Sequence, residues 1–157
     1  MLTIRPAESA DVSLILSLVR ELADYEREPH AVCATEADLL RDGFGAQPRF
    51  HCVIAEWEGQ PAGFALYFYN YSTWEGRPGI YLEDLYVRPA FRKRGIGRSI
   101  FVWLARLAVK EDLGRIVWQV LDWNQPAIDF YRSLGAAPGS EWRTMRLTGP
   151  GIRKLSD

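Results

Sequence analysis

Two spacings of apolar residues alternate along the chain, one of about 3.6 and one of 2, and together they predict helices and strands in succession. Leu2 to Arg5 reads as a short strand. Pro6 to Asp11 follows as a turn that can cap a helix with apolar positions Val12, Ile15, Leu16, Val19, Leu22 and Ala23. Thr35-Glu36-Ala37-Asp38 resembles a capping box opening a shorter helix through Leu39 and Leu40, with Gly43 as its stop. His51 to Trp57, Ala62 to Tyr71 and Ile80 to Arg88 alternate as strands, the first two joined by the turn-forming Glu58-Gly59-Gln60-Pro61, and predict an antiparallel meander. Helical spacing returns after Gly95 at Ile96, Ile100, Trp103, Leu104, Leu107 and Ala108, with Gly114 as the stop. Arg115 to Leu121 is then a strand. Asn124 caps a helix with Pro126 in its first turn and Gly135 at its left-handed end, and Ala136 to Leu147 supplies one or two last strands. A helix between the Ile80 and Arg115 strands implies a right-handed crossover, so this pair is parallel. The fold class is α/β: a mixed, largely antiparallel sheet with one parallel pair, flanked by about four helices.

The 157 residues, 48% hydrophobic and 25% charged, suit one compact domain spanning 1–157. Lys and Arg number 19 against 20 Asp and Glu, so no net field draws the protein to nucleic acid or an anionic membrane, and functional charge must be local. The start of the chain lacks a signal-peptide pattern and no stretch approaches the roughly 20 apolar residues of a membrane span, so a cytoplasmic protein is expected. Cys33 and Cys52 are too few to staple such a fold and are read as reduced thiols; with His30 and His51 they match no zinc spacing, and no metal is expected.

The most informative stretch runs from Leu82 to Arg98, a strand feeding a basic, glycine-bearing turn and then a helix. Gly95 and Gly97 let the backbone curl so that successive N–H groups point inward, and the helix start adds its positive dipole end. Arg92, Lys93, Arg94 and Arg98 add formal charge. A pyrophosphate suits such a cradle, although an ordinary strand-to-helix turn with solvated arginines has the same composition. The nucleoside-triphosphate loop is excluded by the missing Gly-Lys-Ser/Thr, and the dinucleotide fingerprint by Ile100 where a third glycine belongs.

With Arg92-Lys93-Arg94-Gly95-Ile96-Gly97, the chain resembles the GNAT-type N-acetyltransferases, in which this pattern binds the pyrophosphate of acetyl-coenzyme A. Tyr25-Glu26, Asp42-Gly43-Phe44-Gly45, Tyr71-Ser72-Thr73-Trp74, Tyr81-Leu82-Glu83-Asp84 and Val120-Leu121-Asp122-Trp123-Asn124-Gln125 are similar to the diamine acetyltransferase branch, nearest its thialysine N-epsilon-acetyltransferases. The polyamine enzymes of that branch carry an aspartate where Ser72 stands, which moves the expected acceptor from spermidine and spermine toward thialysine-like ω-amino acids. The resemblance implies the GNAT acyltransferase fold, with its parallel strands splayed apart, and a homodimer.

What the chemistry demands can be set beside what the resemblance implies. An aliphatic amine is only about one part in 2,500 neutral at pH 7, roughly 4.6 kcal/mol short of a nucleophile, so a proton acceptor is needed. Glu83 is assigned that role through the resemblance. Alternation sends Glu83 and Asp84 to opposite faces unless a bulge intervenes, and an acidic pair on a strand is also what a solvated face looks like. Tyr131 matches the general acid that protonates the departing thiolate. Backbone N–H groups from Leu85, Tyr86 and Val87 are expected to hold the acetyl oxygen and the pantetheine arm. Arg92, Lys93, Arg94, Gly95, Ile96, Gly97 and Arg98 would take the pyrophosphate, and Asn124, Gln125, Pro126, Ala127 and Tyr131 would approach the same cofactor. Tyr25, Glu26, Trp74, Glu83, Asp84 and Trp142 would surround a small-molecule amine with carboxylates and aromatic faces. Neither cysteine lies in this segment, so transfer is expected to be direct, in a ternary complex. A peptide or protein lysine as acceptor, and a non-catalytic acyl-coenzyme A binding module, are the alternatives.

Overall fold

The computed structural model describes residues 1–139 and 141–157, which pack as two units, Met1–Leu121 and Asp122–Asp157. In the first unit, strands β1 (Leu2–Pro6), β2 (His51–Trp57), β3 (Gln60–Ser72), β4 (Arg77–Val87) and β5 (Ile116–Val117) form one sheet in sequence order. The first three pairings are antiparallel and β4 runs parallel to β5, as the intervening helix required. Helices α1 (Val12–Tyr25) and α2 (Glu36–Phe44) precede β2, and α3 (Ile96–Lys110) makes the crossover. The second unit holds α4 (Gln125–Ser133) and α5 (Gly149–Ser156).

Alternation along the strands sorts the core into two layers. Ile15, Leu18 and Leu22 of α1 pack on Cys52, Ile54, Phe64, Leu66 and Tyr86 of the sheet. Tyr67, one residue on from Leu66, turns to the other face and meets Trp103 of α3 with ring centroids 6.3 Å apart. Arg5 ties the start of the fold together: its guanidinium reaches Asp11 at 2.8 Å and Glu56 at 2.9 Å, linking β1, the turn before α1 and β2. The Asp11 carboxyl is correspondingly held below its ordinary range.

Several expectations need correcting. The stop at Gly43 is wrong: α2 continues through Phe44 to Gly45, whose φ of −80° is not left-handed, and Gly43 instead leaves room for the Phe50 ring, which a Cβ would strike. The stop at Gly114 comes late, because α3 ends at Lys110 with Asp112 in the left-handed position (φ 54°) and Leu113 N–H reaching Ala108 O. The strand expected over Arg115 to Leu121 is reduced to Ile116 and Val117. Ala136 to Leu147 forms no strand among the described residues, Ser140 lying outside them, and a fifth helix, α5, follows instead of the chain ending on a strand. Among the described residues β5 pairs with β4 through two positions only, Ile116 with Ile80 and Val117 with Tyr81. Both cysteines are free thiols, Cys33 exposed and Cys52 buried, and burial pushes the Cys52 thiol well above its ordinary range. No helix is long and apolar enough to cross a membrane.

Candidate active site

The register of β3 against β4 slips once. Leu66 faces Asp84 while Tyr67 faces Leu82, so Glu83 is the extra residue of a β-bulge. Its consequence is a change of parity: Leu82 lies opposite Tyr67 on the α3 side, whereas Asp84 lies opposite Leu66 on the α1 side. The bulge thereby groups the two neighbouring acids that plain alternation separates. Burial pushes the Asp84 carboxyl up to about 7, reinforced by charge on Glu83 and then Glu26. Glu26 is raised too, by burial and by Glu83. Among the described residues no basic side chain pairs with any of these three carboxylates.

Glu26 is placed by the way α1 ends. Arg27 N–H bonds Asp24 O and Glu28 N–H bonds Ala23 O, a Schellman closure with Arg27 itself left-handed at φ 64°. Tyr81, two residues before Glu83 on the same strand, has its hydroxyl raised by burial and then by Glu83. It was not among the sequence candidates, and the period-2 spacing from Glu83 was the signal that pointed to it.

On its other side β4 is open. Ile80 and Tyr81 pair with β5, and from Leu82 to Val87 no strand is paired along that edge among the described residues. The bond from Arg88 N–H to Ala62 O fixes which backbone groups face it. Counting back in twos, the polar groups of Tyr86 point at β3, and those of Leu85 and Val87 point away from it. Of the three backbone positions expected to receive an extended ligand, two are available and Tyr86 is used by the sheet.

The turn after β4 carries the anion cradle. Lys93 (φ 63°) and Gly95 (φ 75°) are both left-handed, and Gly95 is the N-cap of α3 without a side-chain cap. The first helical bond runs from Ser99 N–H to Gly95 O, so the N–H groups of Ile96, Gly97 and Arg98 lack a helical acceptor. Of the four cations expected there, Lys93 and Arg98 are exposed in this turn, whereas the Arg92 guanidinium lies over the Tyr25 and Tyr86 rings and that of Arg94 over Trp57 and Phe91. A phosphorylated ligand fits uncapped N–H groups at a dipole's positive end, and an extended arm fits the open edge that leads there.

The other candidates are placed as follows. Tyr25 ends α1. Trp74, 88% exposed, sits in the β3–β4 turn, where buried Ser72 accepts the Glu75 N–H at 3.2 Å. Ser72 therefore caps a turn, a task an aspartate can also perform. In the second unit buried Asn124 caps α4 by accepting the Ala127 N–H, with Pro126 in the first turn and Gln125 bonded to Asp129 at 2.7 Å. Tyr131, half-buried, lies one turn after Ala127 with its ring 5.5 Å from that of Phe130. Trp142 is exposed in the same unit.

Residues 15–136 match the model of the acetyltransferase (GNAT) family. Thialysine N-epsilon-acetyltransferase of Bos taurus is 41% identical, the alignment covering 98% of this chain and 96% of that protein. Spermidine/spermine N(1)-acetyltransferase-like protein 1 of Homo sapiens is also 41% identical, over 85% of this chain and 20% of its own length. An integron cassette protein from the mobile metagenome of V. cholerae superposes with a TM-score of 0.82 at 26% identity, covering 99% of this chain and 97% of the other.

Proposed function

Because the chain belongs to the GNAT acetyltransferase family, we propose that this acetyltransferase carries an acetyl group from acetyl-coenzyme A to the terminal amine of a small thialysine-like ω-amino acid, or of a diamine. The observation that carries the reading is the acidic group Glu26, Glu83 and Asp84, without a basic partner among the described residues, at the bulge of the strand whose far edge is open. Three carboxylates in want of a cation form a seat for an ammonium. A relative named for thialysine, similar over nearly the whole chain, supports the choice of acceptor.

Acetyl-coenzyme A supplies, when bound, an activated acetyl thioester. Ile96, Gly97 and Arg98 hold its pyrophosphate through backbone N–H groups, and Lys93 and Arg98 lend charge. Leu85 and Val87 bind the pantetheine arm as an added strand and donate to the acetyl oxygen. Glu26, Glu83 and Asp84 receive the ammonium. Passing its proton to a carboxylate at the ordinary 3.8 would cost about 9 kcal/mol, and to one near 7, the value of Asp84 before the ammonium's own charge lowers it, about half of that. Glu83, exposed at the bulge, takes the amine's proton through water, and Asp84 beside it, held up to about 7 by burial and by Glu83, shares that proton. Tyr131 donates the proton that the departing thiolate requires. Transfer is direct, in a ternary complex.

The family match runs from residue 15 to 136, across the boundary between the two units, which supports reading residues 1–157 as one catalytic domain. A cytoplasmic homodimer completes the proposal. The test is thiol release from acetyl-coenzyme A across thialysine, lysine, ornithine, putrescine, spermidine, spermine and a lysine peptide. Preference for thialysine is expected; acetylation of the peptide alone would replace the small-molecule reading, and silence across the panel would remove it. A rate-against-pH profile then separates the two acids: Asp84→Asn should remove the acid limb near 7 from whatever activity remains, and Glu83→Gln should move that limb lower, because charge on Glu83 helps to raise Asp84.

A further inference from the structure

Arg92 opens the Arg-Lys-Arg-Gly-Ile-Gly turn, yet its side chain is engaged elsewhere than at the helix start. Its Nε donates to Val87 O at 2.9 Å. The guanidinium carbon lies 5.0 Å from the centre of the Tyr25 ring and 5.7 Å from that of Tyr86. Tyr86, 7% exposed, belongs to the core between α1 and the sheet, so it gives the cation a fixed wall. Tyr25 is the last residue of α1 and precedes Glu26.

Both contacts fall on the parts of the site that must be held relative to each other. The Val87 carbonyl points along the open edge of β4, so the Arg92 bond closes that edge at its end and leaves Val87 N–H and the Leu85 groups for an added strand. The Tyr25 ring carries the end of α1, and with it one of the three acceptor carboxylates. We propose, resting on the acetyltransferase reading above, that Arg92 is a positioning residue. It fastens the helix end bearing Glu26 to the end of the donor-binding strand, and it governs the acceptor's KM and leaves the affinity for coenzyme A to the N–H groups of α3 and the remaining cations.

The contact needs a planar guanidinium with an Nε–H, which lysine lacks, so charge alone does not replace it. This separates the proposal from a simple phosphate ligand. In the full-length chain, Arg92→Ala and Arg92→Lys should each raise the KM for thialysine roughly tenfold. The Kd for coenzyme A, measured by calorimetry, should stay within about twofold. Tyr25→Leu should reproduce the effect, and the double variant Arg92→Ala/Tyr25→Leu should add little, as expected of residues acting as one unit. Loss of coenzyme A affinity in Arg92→Ala that is restored by Arg92→Lys, with the acceptor KM unmoved, would overturn the proposal. Additive effects of the two single variants would do the same. Wild-type protein that binds coenzyme A but acetylates no amine would refute the functional reading, whereas normal wild-type turnover with an unchanged KM in Arg92→Ala refutes this inference alone.

Discussion

Replacing Asp84 by Asn should stabilise the protein, and by an amount that depends on pH. The carboxyl is raised from 3.8 to about 7 in the folded chain, mainly because burial penalises its charged form. Below pH 4 it is protonated in both folded and unfolded states and contributes no difference. Between 4 and 7 the unfolded chain releases the proton while the folded one keeps it, so stability falls by about 1.4 kcal/mol per pH unit. Above 7 both states are ionised and the loss levels off near 4 kcal/mol. Asn is nearly isosteric and titrates in neither state. Urea denaturation of the two proteins should therefore give curves that diverge by about 2 to 3 kcal/mol between pH 5 and pH 8, the variant being the more stable at the alkaline end. Groups far from position 84 cancel in the difference, and relief of the repulsion from Glu26 and Glu83 has the same sign. A constant offset with no slope in pH would refute the reasoning, because hydrogen bonding or packing of the amide would produce an offset but no slope.

Other changes test separate parts of the structure. Arg27→Gly should raise stability by about 0.5 to 1 kcal/mol in the same urea assay, since Arg27 occupies a left-handed helix-end position that glycine adopts without strain. Arg5→Met should lower it by roughly 1 to 3 kcal/mol, because Asp11 and Glu56 lose their shared cation in a half-buried setting; an unchanged urea midpoint would refute that account. Tyr131→Phe should cut kcat by at least tenfold and leave the Kd for coenzyme A within twofold, and wild-type kcat in that variant would remove the hydroxyl from the proposed mechanism.

The features legible in the sequence were those set by short-range chemistry. The stripes of α1 and α3 and the meander followed from periodicity alone. The capping box at Thr35 is realised by Thr35 N–H donating to Asp38 Oδ2 and Asp38 N–H to Thr35 Oγ1. What stayed illegible depends on partners distant in the chain. The bulge at Glu83 left no mark, because Ile80, Leu82, Asp84 and Tyr86 read as an unbroken period of two, although the face they occupy changes between Leu82 and Asp84. The ends of α1 and α3 escaped a glycine-based reading because Arg27 and Asp112 adopt the left-handed conformation without being glycine. The basic turn was recognisable, but the diversion of Arg92 onto two tyrosines needs a contact between α1, β4 and the turn that no local pattern encodes.

The same sheet treats its carboxylates in two ways, and the contrast bears on function. Glu21 holds Arg88 at 2.8 Å, and that guanidinium also donates to Pro61 O, while Asp11 and Glu56 share Arg5. Those acids sit with cations and stabilise the fold where they stand. Glu26, Glu83 and Asp84 form the opposite arrangement, an acidic group whose burial and mutual repulsion raise Glu26 and Asp84 and lower stability at neutral pH. Strain of this kind persists where a ligand relieves it. An ammonium entering the group would draw the Asp84 carboxyl back toward its ordinary range, so its binding releases a proton below pH 7. Linkage then requires the affinity for the protonated amine to climb with pH, by up to about tenfold per unit, and to level off above 7. That profile, read by calorimetry with a diamine in buffers of different ionisation enthalpy, ties the destabilising cluster to the acceptor it is proposed to hold; an affinity flat from pH 5 to 8 would break the tie.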